Sequence, residues 1–246
     1  GSMRTTLTWL GQGGFLLECG SSRIAIDPYL SNYLQSFKGG DPDFRRMFPP
    51  PIEPADLRAD VLVATHDHCD HLDPETVLPM MNAVHTFLGP DSCAAAFRAL
   101  GVPPQRIVAF NRGEKLSIGD VCLEAAYACH TRDSIGLYVH VPQGMFYFTG
   151  DSLLDERMLA LKARPDILAC CINGKLGNMD AGQAADLARA LQVRTAIPCR
   201  YGLIPANTED PGKFCTALLP GGPRCLILDV GVPYTWAQLI GGDKNA

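Results

Sequence analysis

Three of the chain's six histidines fall in the run His66-x-His68-x-Asp70-His71. Imidazole and carboxylate bind zinc, iron or manganese, and their mixture suits a catalytic site with an open position better than a sealed structural one. The run follows Val61–Ala64, an apolar stretch that reads as a buried strand. A loop leaving such a strand can turn His66 and His68 toward one point while Asp70 and His71 aim at a second point nearby. Further ligands are expected where later strands end. His130 closes the run Val121–Cys129 and offers a third imidazole for the first point. Asp151, in Thr149-Gly150-Asp151-Ser152, follows a strand and a glycine that permits a sharp turn, so its carboxylate can bridge two ions.

Those residues need a rigid frame. Thr5–Leu10, Phe15–Cys19 and Arg23–Asp27 read as strands of a meander punctuated by Gly11, Gly13, Gly14 and Gly20. Residues 38–58, rich in Pro, Gly and charge, form a loop of the length that covers a site or links subdomains. Asp73-Pro74 caps a helix through about Met81, and an Ala-rich helix runs near Asp91–Leu100. Strands are expected at Thr86–Leu88, Ile107–Phe110, Val121–Cys129, Ile135–Val141 and Met145–Thr149. The last third alternates helices (Leu153–Lys162, Ala181–Gln192, Pro211–Leu219) with strands (Ile167–Ile172, Thr195–Pro198, Cys225–Val230). Meanders flanked by helices imply a layered α/β domain with two sheets.

Composition sets the outer limits. The chain has 246 residues, 47% of them hydrophobic, which excludes disorder and supplies a large core. A net charge of −5 argues against a nucleic-acid groove, and no apolar run approaches the roughly 18 residues of a membrane span. Gly1-Ser2 reads as an expression remnant before Met3, leaving one domain over residues 3–246. The ten cysteines form no Cys-x-x-Cys pair and are expected to be reduced and mostly buried, which fits a cytoplasmic protein. Oligomeric state is left open.

The histidine motif, with His130 and Gly150-Asp151 following in order, resembles the metallo-β-lactamase fold superfamily over nearly the whole chain. Shorter stretches resemble its L-ascorbate-6-phosphate lactonase-like branch: Trp9-Leu10-Gly11, Ile26-Asp27-Pro28, Ile172-Asn173-Gly174, Gly177-Asn178-Met179, Ile197-Pro198 with Tyr201-Gly202, and Asn207–Pro211. The resemblance implies a four-layer αββα sandwich with the site at the strand edges between the sheets. It also implies a first metal on His66, His68 and His130. A second would lie on Asp70, His71 and a final His, with Asp151 bridging.

Two residues depart from that pattern. Arg200 stands where the final His is usual, and Gln12 where a His is common. A guanidinium has no lone pair for a metal. A +1 group about 4 Å from a +2 ion repels it by roughly 8 kcal/mol at an effective dielectric near 20. The expectation is therefore one tight Zn2+ or Mn2+ site and a weak or empty second, with Arg200 neutralising Asp70 or gripping an anionic substrate. One ion still lowers the pKa of a bound water to about 7, and Asp70 is expected to orient or deprotonate that water.

Other residues carry two readings each. Lys175, beside Asn173 and Asn178 on a Gly-rich loop, either holds an anion or is a solvated lysine. Tyr201 either donates its hydroxyl to substrate or packs. Asp27 is expected to brace the His loop through hydrogen bonds. His85 and His140 read as structural or surface residues. The function expected is a metal-dependent hydrolase in which metal-bound hydroxide opens a lactone, or cleaves an ester, of a small anionic substrate resembling a sugar-acid phosphate. The alternatives are a phosphodiesterase or natural-product tailoring enzyme of the same fold, and a non-catalytic binding protein spoiled by Arg200.

Overall fold

Alternate residues of the first strands feed two different cores. Leu7, Trp9, Phe15, Leu17, Ile24, Ile26, Val61 and Val63 point into one, and Leu10, Leu16, Ala25 and Leu62 into the other. That period of two, with both faces apolar, is what a sheet covered on both sides requires. The computed structural model describes residues 3–242, so Gly1-Ser2 and the end of the domain expected over 3–246 lie outside the described residues.

The strands are β1 (Thr5–Gly11), β2 (Gly14–Cys19), β3 (Ser22–Ile26), β4 (Ala59–Val63), β5 (Val84–Gly89), β6 (Ile107–Ala109), β7 (Lys115–Ile118), β8 (Val121–Tyr127), β9 (Ile135–Val141), β10 (Gly144–Phe148), β11 (Ile167–Cys171), β12 (Thr195–Cys199), β13 (Arg224–Cys225) and β14 (Pro233–Thr235). The helices are α1 (Tyr33–Phe37), α2 (Pro74–Met80), α3 (Asp91–Ala99), α4 (Ala181–Leu191), α5 (Pro211–Ala217) and α6 (Trp236–Leu239). One sheet runs β14-β1-β2-β3-β4-β5-β6 and the other β13-β12-β11-β10-β9-β8-β7, both mixed. Helices α2 and α3 cover the outer face of the first sheet through Val77, Met80, Cys93 and Phe97. Helix α4 covers the second through Ala184, Leu187 and Ala188. The four-layer αββα sandwich is thus the observed fold.

β3 pairs parallel with β4, and β10, β11 and β12 are mutually parallel, so their C-terminal ends share one edge. β8 is antiparallel to β9 and β9 to β10, which brings the end of β8 to that edge too. Backbone bonds tie the sheets together there: Ile135 N donates to Thr65 O at 3.0 Å and Arg200 N to Gln12 O at 3.0 Å. The segment after β3 folds back over this edge. Arg46 is buried and donates to the carbonyls of Tyr29, Ser31 and Phe48, while Met47 N donates to Leu203 O at 2.8 Å.

Three expectations are corrected. Leu153–Lys162 is not a helix, because Leu153 is captured by a bridge to Cys129 and only a short 3-10 turn, Glu156–Met158, follows. The strand expected at Cys225–Val230 ends at Cys225, because the chain leaves the second sheet there and crosses to β1, where it forms β14. Nor are all ten cysteines reduced: α5 packs back toward β13 with Cα atoms 5.3 Å apart, and Cys215 and Cys225 form a disulfide. Among the described residues no helix is long and apolar enough to cross a membrane.

Candidate metal centre

The loop after β4 begins on a brace. Asp27, in left-handed backbone (φ 46°), accepts from Thr65 N at 2.7 Å, from Thr65 Oγ1 at 2.6 Å and from His71 Nδ1 at 2.7 Å. With its hydroxyl hydrogen given to Asp27, Thr65 Oγ1 accepts from His66 Nδ1 at 3.1 Å. This fixes the tautomer and leaves the lone pair of His66 on Nε2. His130 is set in the same way: its Nδ1 donates to Gly177 O at 3.1 Å, so Nε2 carries the lone pair. That nitrogen lies 3.3 Å from His68 Nδ1.

The nitrogens offered by His66, His68 and His130 all lie within 4.8 Å of one another. Burial, and then the neighbouring imidazoles, push the pKa of His66 and His68 below the ordinary value, so both stay neutral. His66 Nε2 is buried and has no hydrogen-bond partner among the described residues. Asp151 Oδ2 stands 3.6 Å from both His66 Nε2 and His130 Nε2 and 3.1 Å from His71 Nε2. Asp151 reaches this point because Gly150 takes a left-handed turn (φ 62°), and a Cβ there would stand 2.8 Å from Ile135 O.

The other end of the cluster is closed by protein. Arg200, in left-handed backbone (φ 64°), donates from Nη1 to Asp70 Oδ2 in a short contact, and its Nε forms an ion pair with Asp151 Oδ1 at 3.1 Å without a hydrogen bond. Gln12 Nε2 donates to the same Asp70 oxygen at 3.3 Å. Gly13 keeps the approach open, since a Cβ there would stand 3.1 Å from His71 Cε1 and 3.5 Å from the Arg200 Cδ. Burial alone would raise Asp70 and Asp151, but Arg200 first and His71 second hold both carboxylates well below their usual range. Burial likewise opposes protonation of His71, yet Asp151, Asp70 and Asp27 push its pKa up to about 10. The same two carboxylates, Asp151 and Asp70, raise Arg200 against its burial.

A family model described as a beta-lactamase superfamily domain matches residues 6–200 of this chain. The chain belongs to the beta-lactamase superfamily. A metal-dependent hydrolase of Pyrobaculum aerophilum is 27% identical over 216 residues, covering 85% of this chain and 89% of its own. A solved metallo hydrolase from Ignicoccus hospitalis matches with a TM-score of 0.76 at 20% identity, over 95% of this chain and 98% of that one. An isothiocyanate hydrolase from Delia radicum gut bacteria gives a TM-score of 0.75 at 18% identity, over 93% and 98%.

The two metal positions of the superfamily pattern fare differently here. Two nitrogens about 2.05 Å from one tetrahedral ion lie roughly 3.3–3.4 Å apart. His68 Nδ1 and His130 Nε2 are 3.3 Å apart, and His66 Nε2 is an unspent lone pair beside them, so these residues fit one ion. At the second position the guanidinium of Arg200 pairs with Asp70 Oδ2 and Asp151 Oδ1, setting a fixed positive charge and no lone pair where the pattern has its final imidazole. Those residues do not fit a second ion.

A cavity of about 650 Å³ opens over the centre, with His68, Asp70, His130, Asp151 and Arg200 in its lining. Three expected substrate contacts lie elsewhere. Lys175 is exposed and does not line the cavity, because the loop turns its side chain outward. Asn173 is buried and donates to Asn207 Oδ1 at 2.7 Å, so Asn207 is the residue that reaches the cavity wall. Tyr201 is buried against Trp9, with ring centroids 5.0 Å apart. Arg200 lines the cavity and forms ion pairs with Asp70 and Asp151, so of the two roles expected for it the geometry matches neutralisation. Leu34, Phe37, Lys38, Phe44, Asp67 and Leu176 were not foreseen as lining residues. The available signal was the long loop after β3, whose position sequence spacing does not give.

Proposed function

We propose that this chain is a metal-dependent hydrolase that opens a lactone or cleaves a related ester, as in the lactonase-like branch of its superfamily. The observation that carries the reading is the convergence of lone pairs from His66, His68 and His130 beneath an open cavity, with Asp151 beside them. One Zn2+ or Mn2+ bound there would supply acidity to a water and polarise the substrate carbonyl.

The chain's own residues do the rest. The Asp27–Thr65 pair holds the ring of His66, and Gly177 that of His130, so two of the three lone pairs face the centre before any ion arrives. Asp70 keeps Oδ1 free of Arg200 and can accept a hydrogen bond from the attacking water. Of the two roles expected for it from sequence, its depressed pKa favours orienting the water over deprotonating it. The water oxygen bonds to the carbonyl carbon, the ring or ester C–O bond breaks, and the proton of the water ends on the departing alkoxide.

Metal-loaded protein should hydrolyse members of a panel of phosphorylated sugar lactones, simple lactones and aryl esters. Chelation should abolish the activity, and zinc or manganese should restore it. Asp70→Asn should keep the ion, because none of the three histidines is altered, and lower turnover about 10- to 100-fold. If metal-loaded protein hydrolyses none of these compounds yet binds small anions, a binding protein is the better reading. If bis-aryl phosphodiesters alone are cleaved, the bond assignment is wrong.

A further inference from the structure

Two large apolar side chains beside the centre are mostly exposed. Phe37, at the end of α1, is 63% exposed, and Leu176, on the loop after β11, is 71% exposed. Both line the cavity over the histidines, together with Leu34 and Phe44. Leu176 also sits in left-handed backbone (φ 55°), a conformation that costs a non-glycine residue energy and recurs at ligand clamps. Single exposed apolar residues need no explanation, but several around one mouth that leads to a polar floor form a recognition surface.

The wall carries a charge as well. Lys38 Nζ lies 5.1 Å from the ring centroid of Phe44 and 5.9 Å from that of Phe37. It has no carboxylate partner within 4.0 Å among the described residues, whereas the charge of Arg200 is balanced by Asp70 and Asp151. Asp67 lines the same cavity and opposes an anion placed on its side. Lys38 therefore stands among aromatic rings without a carboxylate to balance it. A compact sugar phosphate offers the rings little apolar surface. A cavity of about 650 Å³ is in the range that encloses a drug-sized, mainly apolar ligand fixed by a few polar groups.

We propose that the substrate carries an apolar arm, alkyl or aryl, that packs against Phe37, Phe44 and Leu176 and ends in a carboxylate held by Lys38, while its lactone or ester group lies at the histidines. The inference rests on the hydrolase reading for the reacting bond, but the arm's recognition stands apart from it.

The test uses the metal-loaded protein and two series. The first is γ-lactones with unbranched side chains from methyl to octyl, ending in methyl, carboxylate or ammonium. The second is saturated monocarboxylic and dicarboxylic acids of the same lengths, measured by calorimetry as binders that cannot react. kcat/KM and affinity should each rise about two- to fourfold per methylene until the cavity is filled. Carboxylate-ended arms should exceed neutral ones, and ammonium-ended arms should trail both. The double variant Phe37→Gln/Leu176→Asn should lose about tenfold on the octyl compound and nothing on the methyl one. Both side chains are exposed, and asparagine tolerates the left-handed backbone, so unfolding temperature should not move. Lys38→Gln should erase the preference for carboxylate. Turnover with no dependence on chain length overturns the inference and leaves the hydrolase reading in place. Length-dependent acid binding without turnover of any lactone keeps the inference and overturns that reading.

Discussion

The two ends of the histidine–carboxylate cluster meet their charges in opposite ways. At the end formed by His66, His68 and His130, three imidazoles converge and one buried nitrogen has no partner. At the end formed by Asp70, His71 and Arg200, every carboxylate contacts a cationic or donating side chain of the protein itself. The residues that depart from the superfamily pattern, Gln12 and Arg200, come from distant parts of the chain and finish on the same oxygen of Asp70. One end is built to receive a cation, and the other has a cation tethered to the backbone.

The comparison can be broken in steps of decreasing size. His66→Ala should empty the histidine end: ion content should collapse even though Asp70, His71 and Arg200 are untouched. Undiminished ion content would place the ion elsewhere. Arg200→Met should show what the tethered cation does in chelator-treated protein. Leaving Asp70 and Asp151 buried without their guanidinium should lower unfolding free energy by about 3–5 kcal/mol. Added zinc should recover part of that loss, because the carboxylates then become available to an ion. A urea midpoint unchanged from the parent would mean that Arg200 is not what balances those carboxylates. Asp27→Asn, which keeps the left-handed backbone, should weaken ion affinity about 10- to 100-fold by loosening Thr65 and through it His66. Equal affinity would show that the brace does not position the ring.

The difference between the two ends also explains what could be read from sequence. His66, His68, Asp70 and His71 are visible because a short loop after an apolar strand places them by covalent connection alone. The strand ends at His130 and Asp151 were readable because β8 and β10 have clear apolar runs. The pairing of Arg200 with Asp70 spans 130 positions in sequence and depends on where β12 meets β1 and β4 across two sheets. Arg200 could be flagged as unable to ligate, but its partners needed the fold. Phe37 and Lys38 end a helix of five residues, too short for a periodic pattern, and Leu176 lies on a loop, so nothing local told which way they face. Lys175, one residue from Leu176, had two readings for the same reason. The missing helix at Leu153–Lys162 had helical composition, but Leu153 was claimed by a bridge to Cys129.

If the guanidinium of Arg200 replaces the second metal, ion stoichiometry shows it. Protein purified without chelator and then equilibrated with a modest excess of zinc or manganese should be desalted and assayed by elemental analysis. The unaltered chain should hold about one ion, and Arg200→His about two, because the new imidazole supplies a lone pair and frees Asp70 and Asp151. Two ions in the unaltered chain, with no rise on substitution, would contradict the account.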